Sequence, residues 1–191
     1  MRAWLVAITD FGDSAVLLPL AAAMLLWLLL LRASRAAGWW LAAIGFCVGL
    51  TGILKIFFFG CPPVVNLHSP SGHTSLSTLV YGAMALVIAV DGGNLRRFVV
   101  VGGGAGLIFT IVASRLLLDA HSMPEIFSGL VIGVAALILF GQGYLRCRPE
   151  IVRLSPLLVS AAVLMSTLHG SQLRAEEFLH RITGHLHIHC G

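Results

Sequence analysis

Apolar residues form long runs separated by short polar loops, and this pattern dominates the chain. A membrane-spanning helix needs roughly 17–25 mostly apolar residues. Six runs reach or approach that length: Ser14–Leu31, Trp39–Phe59, Thr74–Val90, Phe98–Leu118, Glu125–Leu145 and Ser155–Leu168. The pattern therefore predicts an all-α, six-transmembrane helix bundle. Residues 1–170 would form one membrane domain, and residues 171–191 a polar, histidine-rich tail.

The composition supports a protein that is largely covered by lipid. Hydrophobic residues make up 58% of the 191 residues, and charged residues only 10%. A soluble domain carries roughly 25% charged residues, and the core of so short a chain is too small to explain the difference. The membrane bilayer is thus the first expected partner.

Basic residues are concentrated in three loops that must lie on the same side of the membrane. The loops that follow the first, third and fifth runs contain seven of the twelve Lys and Arg residues, namely Arg32, Arg35, Arg96, Arg97, Arg146, Arg148 and Arg153. The positive-inside rule places these loops in the cytoplasm. The net charge of +4 is then a signal of topology, and nucleic acid is not an expected partner. We expect a multi-pass protein of the inner (plasma) membrane.

Small residues mark places where helices can approach closely. A glycine-rich stretch at residues 102–106 lies in the fourth run, and Gly129 and Gly133 lie in the fifth. Such residues let helix backbones touch within a membrane. No Lys-Ser/Thr pair follows the stretch at 102–106, so helix packing is favoured over a phosphate-binding loop.

The four cysteines and the tail carry weaker signals. Cys47 lies inside an apolar run and is predicted to be a core residue. Cys61 and Cys190 would both face outward, which leaves a disulfide between them open as an alternative to free thiols. The tail holds alternating histidines just before Cys190, and either a metal site or a solvated terminus fits them.

Residue types that bind phosphate gather in the two outward inter-helix loops. Lys55 lies near the end of an otherwise apolar run, where a charge is costly and marks function by default. Arg115 ends the fourth run, and its planar guanidinium suits two phosphate oxygens. Ser71, Gly72 and His73 open the third run, where backbone N–H groups at a helix start form an anion site.

Two histidines on this face suggest a nucleophile and a general acid. One of His121 and His73 would attack phosphorus, and the other would protonate the leaving oxygen. Glu125 follows His121 by four residues, so a helix would place both on one face and let the carboxylate fix the imidazole tautomer. The stretch from Ser122 to Glu125 also matches a helix capping box. Asp119 competes with Glu125 as the orienting acid or as a partner for Arg115.

These loops resemble the type 2 phosphatidic acid phosphatase superfamily, which also includes the vanadium haloperoxidases. The family pattern is K-x6-R-P, then P-S-G-H, then S-R-x5-H with an acid four residues later. Pro70-Ser71-Gly72-His73 matches the second motif, and Ser114-Arg115-x5-His121 matches the third, with Glu125 where Asp is usual. The motifs cover about residues 50–130, and six helices in this order resemble the membrane branch of the family.

The resemblance implies a role for each residue. His121 would form a phosphohistidine, His73 would protonate the leaving group, and Glu125 would orient His121. Lys55, Ser71, Gly72 and Arg115 would hold the phosphate oxygens, with no metal or other cofactor. The first motif departs from the pattern, because Pro62 stands where the family has Arg. Losing one such donor costs roughly 100–1000-fold in rate unless another residue, such as His68, replaces it.

Three functions are compatible with these residues. The first is an outward-facing phosphatase for a lipid phosphate or diphosphate, such as undecaprenyl diphosphate, phosphatidylglycerol phosphate, phosphatidate or a lipid A phosphate. The second is a lipid phosphotransferase that passes phosphate from the same phosphohistidine to another acceptor. The third is a non-catalytic lipid-binding relative, which the missing arginine favours and the two intact histidines oppose.

Overall fold

A computed structural model describes residues 2–60, 69–90, 92–147, 149 and 153–171. Within these ranges the chain forms helices and no strands. The helices are α1 (Arg2–Asp10), α2 (Ser14–Leu30), α3 (Ser34–Gly60), α4 (Gly72–Val90), α5 (Asn94–Leu117), α6 (Met123–Cys147) and α7 (Ser155–Leu168). The all-α prediction is confirmed, since the six predicted runs coincide with α2 to α7 to within five residues at either end.

Five helical segments are long and apolar enough to cross a membrane: Ala3–Leu30, Ser34–Phe59, Gly72–Val90, Asn94–Leu117 and Met123–Cys147. The protein is therefore a multi-pass membrane protein. The sixth predicted run, α7, is an apolar helix of only 14 residues. At 1.5 Å per residue it is about 21 Å long, which is shorter than the roughly 30 Å hydrocarbon core.

Helix α4 forms the centre of the bundle and contacts α2, α3, α5 and α6. Helix α7 packs against α2, and the short helix α1, which the run pattern did not predict, packs against α5. The core between these helices is apolar, and Cys47 is fully buried in it as predicted. Helix α5 exposes most of its apolar side chains, as expected of a lipid-facing helix.

The predicted role of glycine in helix packing holds for α6 and fails for most of α5. A Cβ added at Gly129 or Gly133 would lie 2.6 Å from a backbone oxygen of α4 or of the residue that precedes it. Only glycine lets α6 approach this closely. In contrast, Gly102, Gly103 and Gly106 have nothing within 4 Å of that position, because they lie on the open face of α5.

The arginine-rich loops lie at one end of the bundle. Arg32 of the α2–α3 loop and Arg35 in the first turn of α3 line a recess of about 480 Å³ together with Cys147 at the end of α6 and Pro149. The indole of Trp27 near the end of α2 donates to the backbone oxygen of Arg153, just before α7. The starts of α4 and α6, which carry His73 and Glu125, lie at the other end.

Candidate active site

The Glu125 carboxylate in the first turn of α6 joins three segments of the chain. Its Oε1 accepts a hydrogen bond of 3.2 Å from the backbone N–H of Ser69. Its Oε2 accepts 2.9 Å from the N–H of Ser122, which is the capping-box contact that the sequence suggests. The same Oε2 lies 3.0 Å from Nδ1 of His121. The buried Glu125 side chain thus both caps α6 and orients His121.

This contact sets the tautomer of His121. A carboxylate only accepts hydrogen bonds, so Nδ1 of His121 carries the proton that faces Glu125. In the neutral ring Nε2 then holds a free lone pair. The His121 side chain is only 7% exposed, and its Nε2 is buried without a hydrogen-bond partner within the described part of the chain. The lone pair of this nitrogen is therefore not used in a hydrogen bond within the described residues.

Asp119, the competing acid, takes a different role. Helix α5 ends in a Schellman motif, in which the N–H groups of Asp119 and Ala120 bond the oxygens of Leu116 and Arg115. Asp119 adopts the left-handed conformation of this motif, with φ 53°, and is exposed to solvent. Glu125 is therefore the acid in contact with the imidazole of His121.

The start of α4 is fixed against the start of α6. The Ser71 N–H donates 3.0 Å to the backbone oxygen of Glu125. The fully buried Ser71 hydroxyl accepts from the backbone and the hydroxyl of Thr74, at 3.4 and 3.0 Å, and so caps α4. Gly72 and His73 follow in the first turn, whose N–H groups have no intrahelical acceptor and favour an anion.

Two cations lie close enough to act on His121. Lys55 is only 4% exposed, and its Cε would lie 3.8 Å from a Cβ added at Gly72. Arg115 occupies the last turn of α5 and is half-buried. The structure therefore brings Lys55, Arg115, His121 and the start of α4 to one end of the bundle.

Burial is the main influence on the pKa of His121, and it lowers that pKa below the ordinary value of 6.5. The hydrogen bond to Glu125 opposes this effect, whereas the positive charges of Arg115 and Lys55 lower the pKa further. The neutral, nucleophilic form of His121 is consequently retained to a lower pH than in an exposed histidine.

We therefore expect kcat/KM to fall on acidification only below about pH 6.5, as His121 becomes protonated. In Lys55→Met a positive charge is removed, so this acidic limb should move to higher pH. Both proteins are assayed on the same substrate, so ionisation of the substrate affects both pH profiles equally. Arg35→Met, which removes a cation at the opposite end of the bundle, should leave the limb in place. An unchanged limb in Lys55→Met would contradict the electrostatic account.

His73 faces a carboxylate that the sequence motifs do not include. Its Nε2 lies 3.6 Å from Oδ2 of Asp13, in the turn between α1 and α2. Sequence reasoning missed Asp13 as a site residue, because it lies far from His73 along the chain and outside all three motifs. The only local signal was its position before Ser14, which is typical of a helix N-cap.

Several predicted features lie outside the described residues. These are Pro62 of the first motif, His68 as a replacement for the missing arginine, Cys61, and the tail from residue 172 onward, including Cys190. Over residues 2–60, 69–90, 92–147, 149 and 153–171, no group of three or more His, Cys, Asp or Glu is placed to hold a metal ion.

Comparison with known proteins identifies a relative of this chain. A Klebsiella pneumoniae protein described as an uncharacterized 22.5 kDa protein in the cps region is 34% identical to this chain over 138 residues. The match covers 70% of this chain and 66% of the relative, so the chain spans just under two thirds of that protein. No protein-family model matches the chain, and no solved structure matches it significantly.

Proposed function

We propose that this protein is a membrane phosphatase of the type 2 phosphatidic acid phosphatase superfamily. It would hydrolyse a lipid phosphate or diphosphate at the extracytoplasmic face through a phosphohistidine intermediate. The observation that carries the proposal is the state of His121: Nδ1 is held by Glu125, and Nε2 is buried beside two cations without a hydrogen-bond partner in the described chain. A binding site alone needs no nucleophile prepared in this way.

The reaction proceeds in two displacements. Nε2 of His121 attacks phosphorus and forms a P–N bond while the bond to the leaving oxygen breaks. His73 gives a proton to that oxygen. Water then attacks the phosphohistidine, His73 takes a proton from the water, and the P–N bond breaks to release inorganic phosphate. Glu125 stabilises the positive charge that His121 gains in the first displacement.

The remaining residues bind the phosphoryl oxygens. Lys55, Arg115 and the backbone N–H groups of Gly72 and His73 supply positive charge and donors where negative charge grows in the transition state. Ser71 fixes this helix start through its bonds to Thr74 and Glu125. Because the site lies at the end of apolar helices, the tail of an amphiphilic substrate can remain in the bilayer while its headgroup reacts.

The orientation of the site follows from the arginine-rich loops at the opposite end of the bundle. By the positive-inside rule those loops would be cytoplasmic, and the site would then face the periplasm or the outside of the plasma membrane. A site on that face suits the lipids of the cell envelope.

The test is release of inorganic phosphate by the purified, detergent-solubilised protein. The substrates are undecaprenyl diphosphate, phosphatidylglycerol phosphate, phosphatidate and a lipid A phosphate. We expect release from at least one of them, at a rate proportional to protein concentration. Measurable binding of these lipids with no release from any of them would instead support a non-catalytic lipid-binding protein.

A further inference from the structure

The pairing of His73 with Asp13 joins the active-site face to a part of the chain outside all three motifs. The two side chains are 21% and 10% exposed, and Nε2 and Oδ2 are 3.6 Å apart. Both side chains are therefore mostly buried, and each is the other's neighbour on this face of the bundle.

Asp13 is held in place by its role in α2. Its Oδ1 accepts 2.8 Å from the N–H of Ala15, and its backbone is extended as an N-cap requires. The N–H of Asp13 donates to the backbone oxygen of Asp10 at 3.1 Å. One carboxylate oxygen therefore caps α2, and the other lies on the side of His73.

The turn that carries Asp13 is anchored to the core of the bundle. The Tyr81 hydroxyl of α4 donates 2.7 Å to the backbone oxygen of Phe11. A Cβ added at Gly12 would lie 2.6 Å from Cγ2 of Ile111 and 3.4 Å from Cδ2 of His73. Glycine at position 12 thus lets the turn come close enough for Asp13 to reach the imidazole.

Each of the two histidines has a carboxylate beside one ring nitrogen, and that nitrogen is Nδ1 in His121 and Nε2 in His73. Glu125 holds Nδ1 of His121, which leaves Nε2 to attack phosphorus. Asp13 faces Nε2 of His73 at 3.6 Å, which leaves Nδ1 for contacts with another group. We propose that Asp13 is a positioning residue that orients His73 to protonate the leaving oxygen from Nδ1. This inference rests on the proposed phosphatase function.

In the step concerned, the bond between phosphorus and the leaving oxygen breaks and that oxygen takes the Nδ1 proton of His73. Asp13 stays on the Nε2 side of the ring and exchanges no proton. Protonation matters most for an alkyl alcohol, which leaves poorly as an alkoxide, and little for p-nitrophenolate. The fall in rate when Asp13 is replaced should therefore be larger for a poor leaving group than for a good one. A purely structural role of Asp13 would lower both rates equally.

The experiment compares Asp13→Asn with wild type, using the full-length protein in detergent. The substrates are the best lipid monophosphate of the panel and p-nitrophenyl phosphate. Asparagine is also a good N-cap, so α2 should keep its start. We expect kcat on the lipid to fall by about 10–100-fold with KM nearly unchanged, and kcat on p-nitrophenyl phosphate to fall by less than about 3-fold.

Asp10→Asn is the matched control, since Asp10 is a buried aspartate at the end of α1, just before the same turn, and is not paired with His73. It should lose little activity on either substrate. If Asp13→Asn does not fold, Asp13→Ser keeps a capping oxygen and should show the same dependence on the leaving group. Equal losses on both substrates would overturn this inference alone. Failure of wild type to release phosphate from either substrate would overturn the proposed function as well.

Discussion

His121→Asn is expected to reduce the rate of phosphate release from a lipid phosphate by at least about 1000-fold, because the variant lacks the nucleophile. The side-chain amide of asparagine can still donate to Glu125, so the start of α6 should keep its structure. The measurement is single-turnover phosphate release under conditions where wild type completes the reaction.

Two controls separate chemistry from folding in this experiment. Arg35→Met replaces a side chain at the opposite end of the bundle, and it should retain most of the activity. Orthovanadate, a phosphate-like anion, should still bind to His121→Asn, because Lys55 and Arg115 remain. Activity of His121→Asn within about tenfold of wild type would exclude His121 as the nucleophile.

Glu125→Gln should lower kcat by about 100–10,000-fold, the second-largest effect that we expect. Glutamine is nearly the same size, but its amide group places N–H donors where one of the carboxylate oxygens accepts. The N–H groups of Ser69 and Ser122 and Nδ1–H of His121 cannot all keep an acceptor. His121 is then free to move its proton to Nε2, which removes the lone pair that attacks phosphorus.

The same substitution should also destabilise the protein by about 1–3 kcal/mol, because a buried donor loses its acceptor. Thermal unfolding in detergent measures this cost separately from kcat. Glu125→Asp keeps the charge on a shorter side chain, so its activity should lie between those of wild type and Glu125→Gln. If Glu125→Gln retained more than a tenth of the activity, the carboxylate would not set the tautomer of His121.

The sequence was sufficient to predict most of the helices, because lipid imposes a simple rule on length and polarity. Helix α1 was missed because its nine residues are too few to span a bilayer, and it is stabilised by packing against α5. The shortness of α7 was visible in its run, whereas its contact with α2 was not. Contacts between distant segments cannot be read from the apolar pattern alone.

In the site, too, the contact between residues close in sequence could be predicted, and the contacts between distant segments could not. The contact between His121 and Glu125 follows from a spacing of four residues near a helix start, and the structure contains it. The bonds from Ser69 and Ser71 to Glu125 depend on how α4 packs beside α6, and glycine at position 129 permits that approach. The pairing of Asp13 with His73 depends on where α1 turns into α2, which no motif encodes. The consequence of Pro62 stays a prediction.

The most direct test of the account is to trap the phosphorylated enzyme. Wild-type protein is mixed with a lipid phosphate labelled with ³²P in the phosphoryl group, quenched within one turnover and digested with protease. The account expects one labelled peptide that contains His121, with a label that survives alkali and is lost in acid, as a P–N bond requires. His121→Asn should give no labelled peptide. Release of labelled phosphate by wild type without any labelled intermediate, or a label on another residue, would contradict the mechanism.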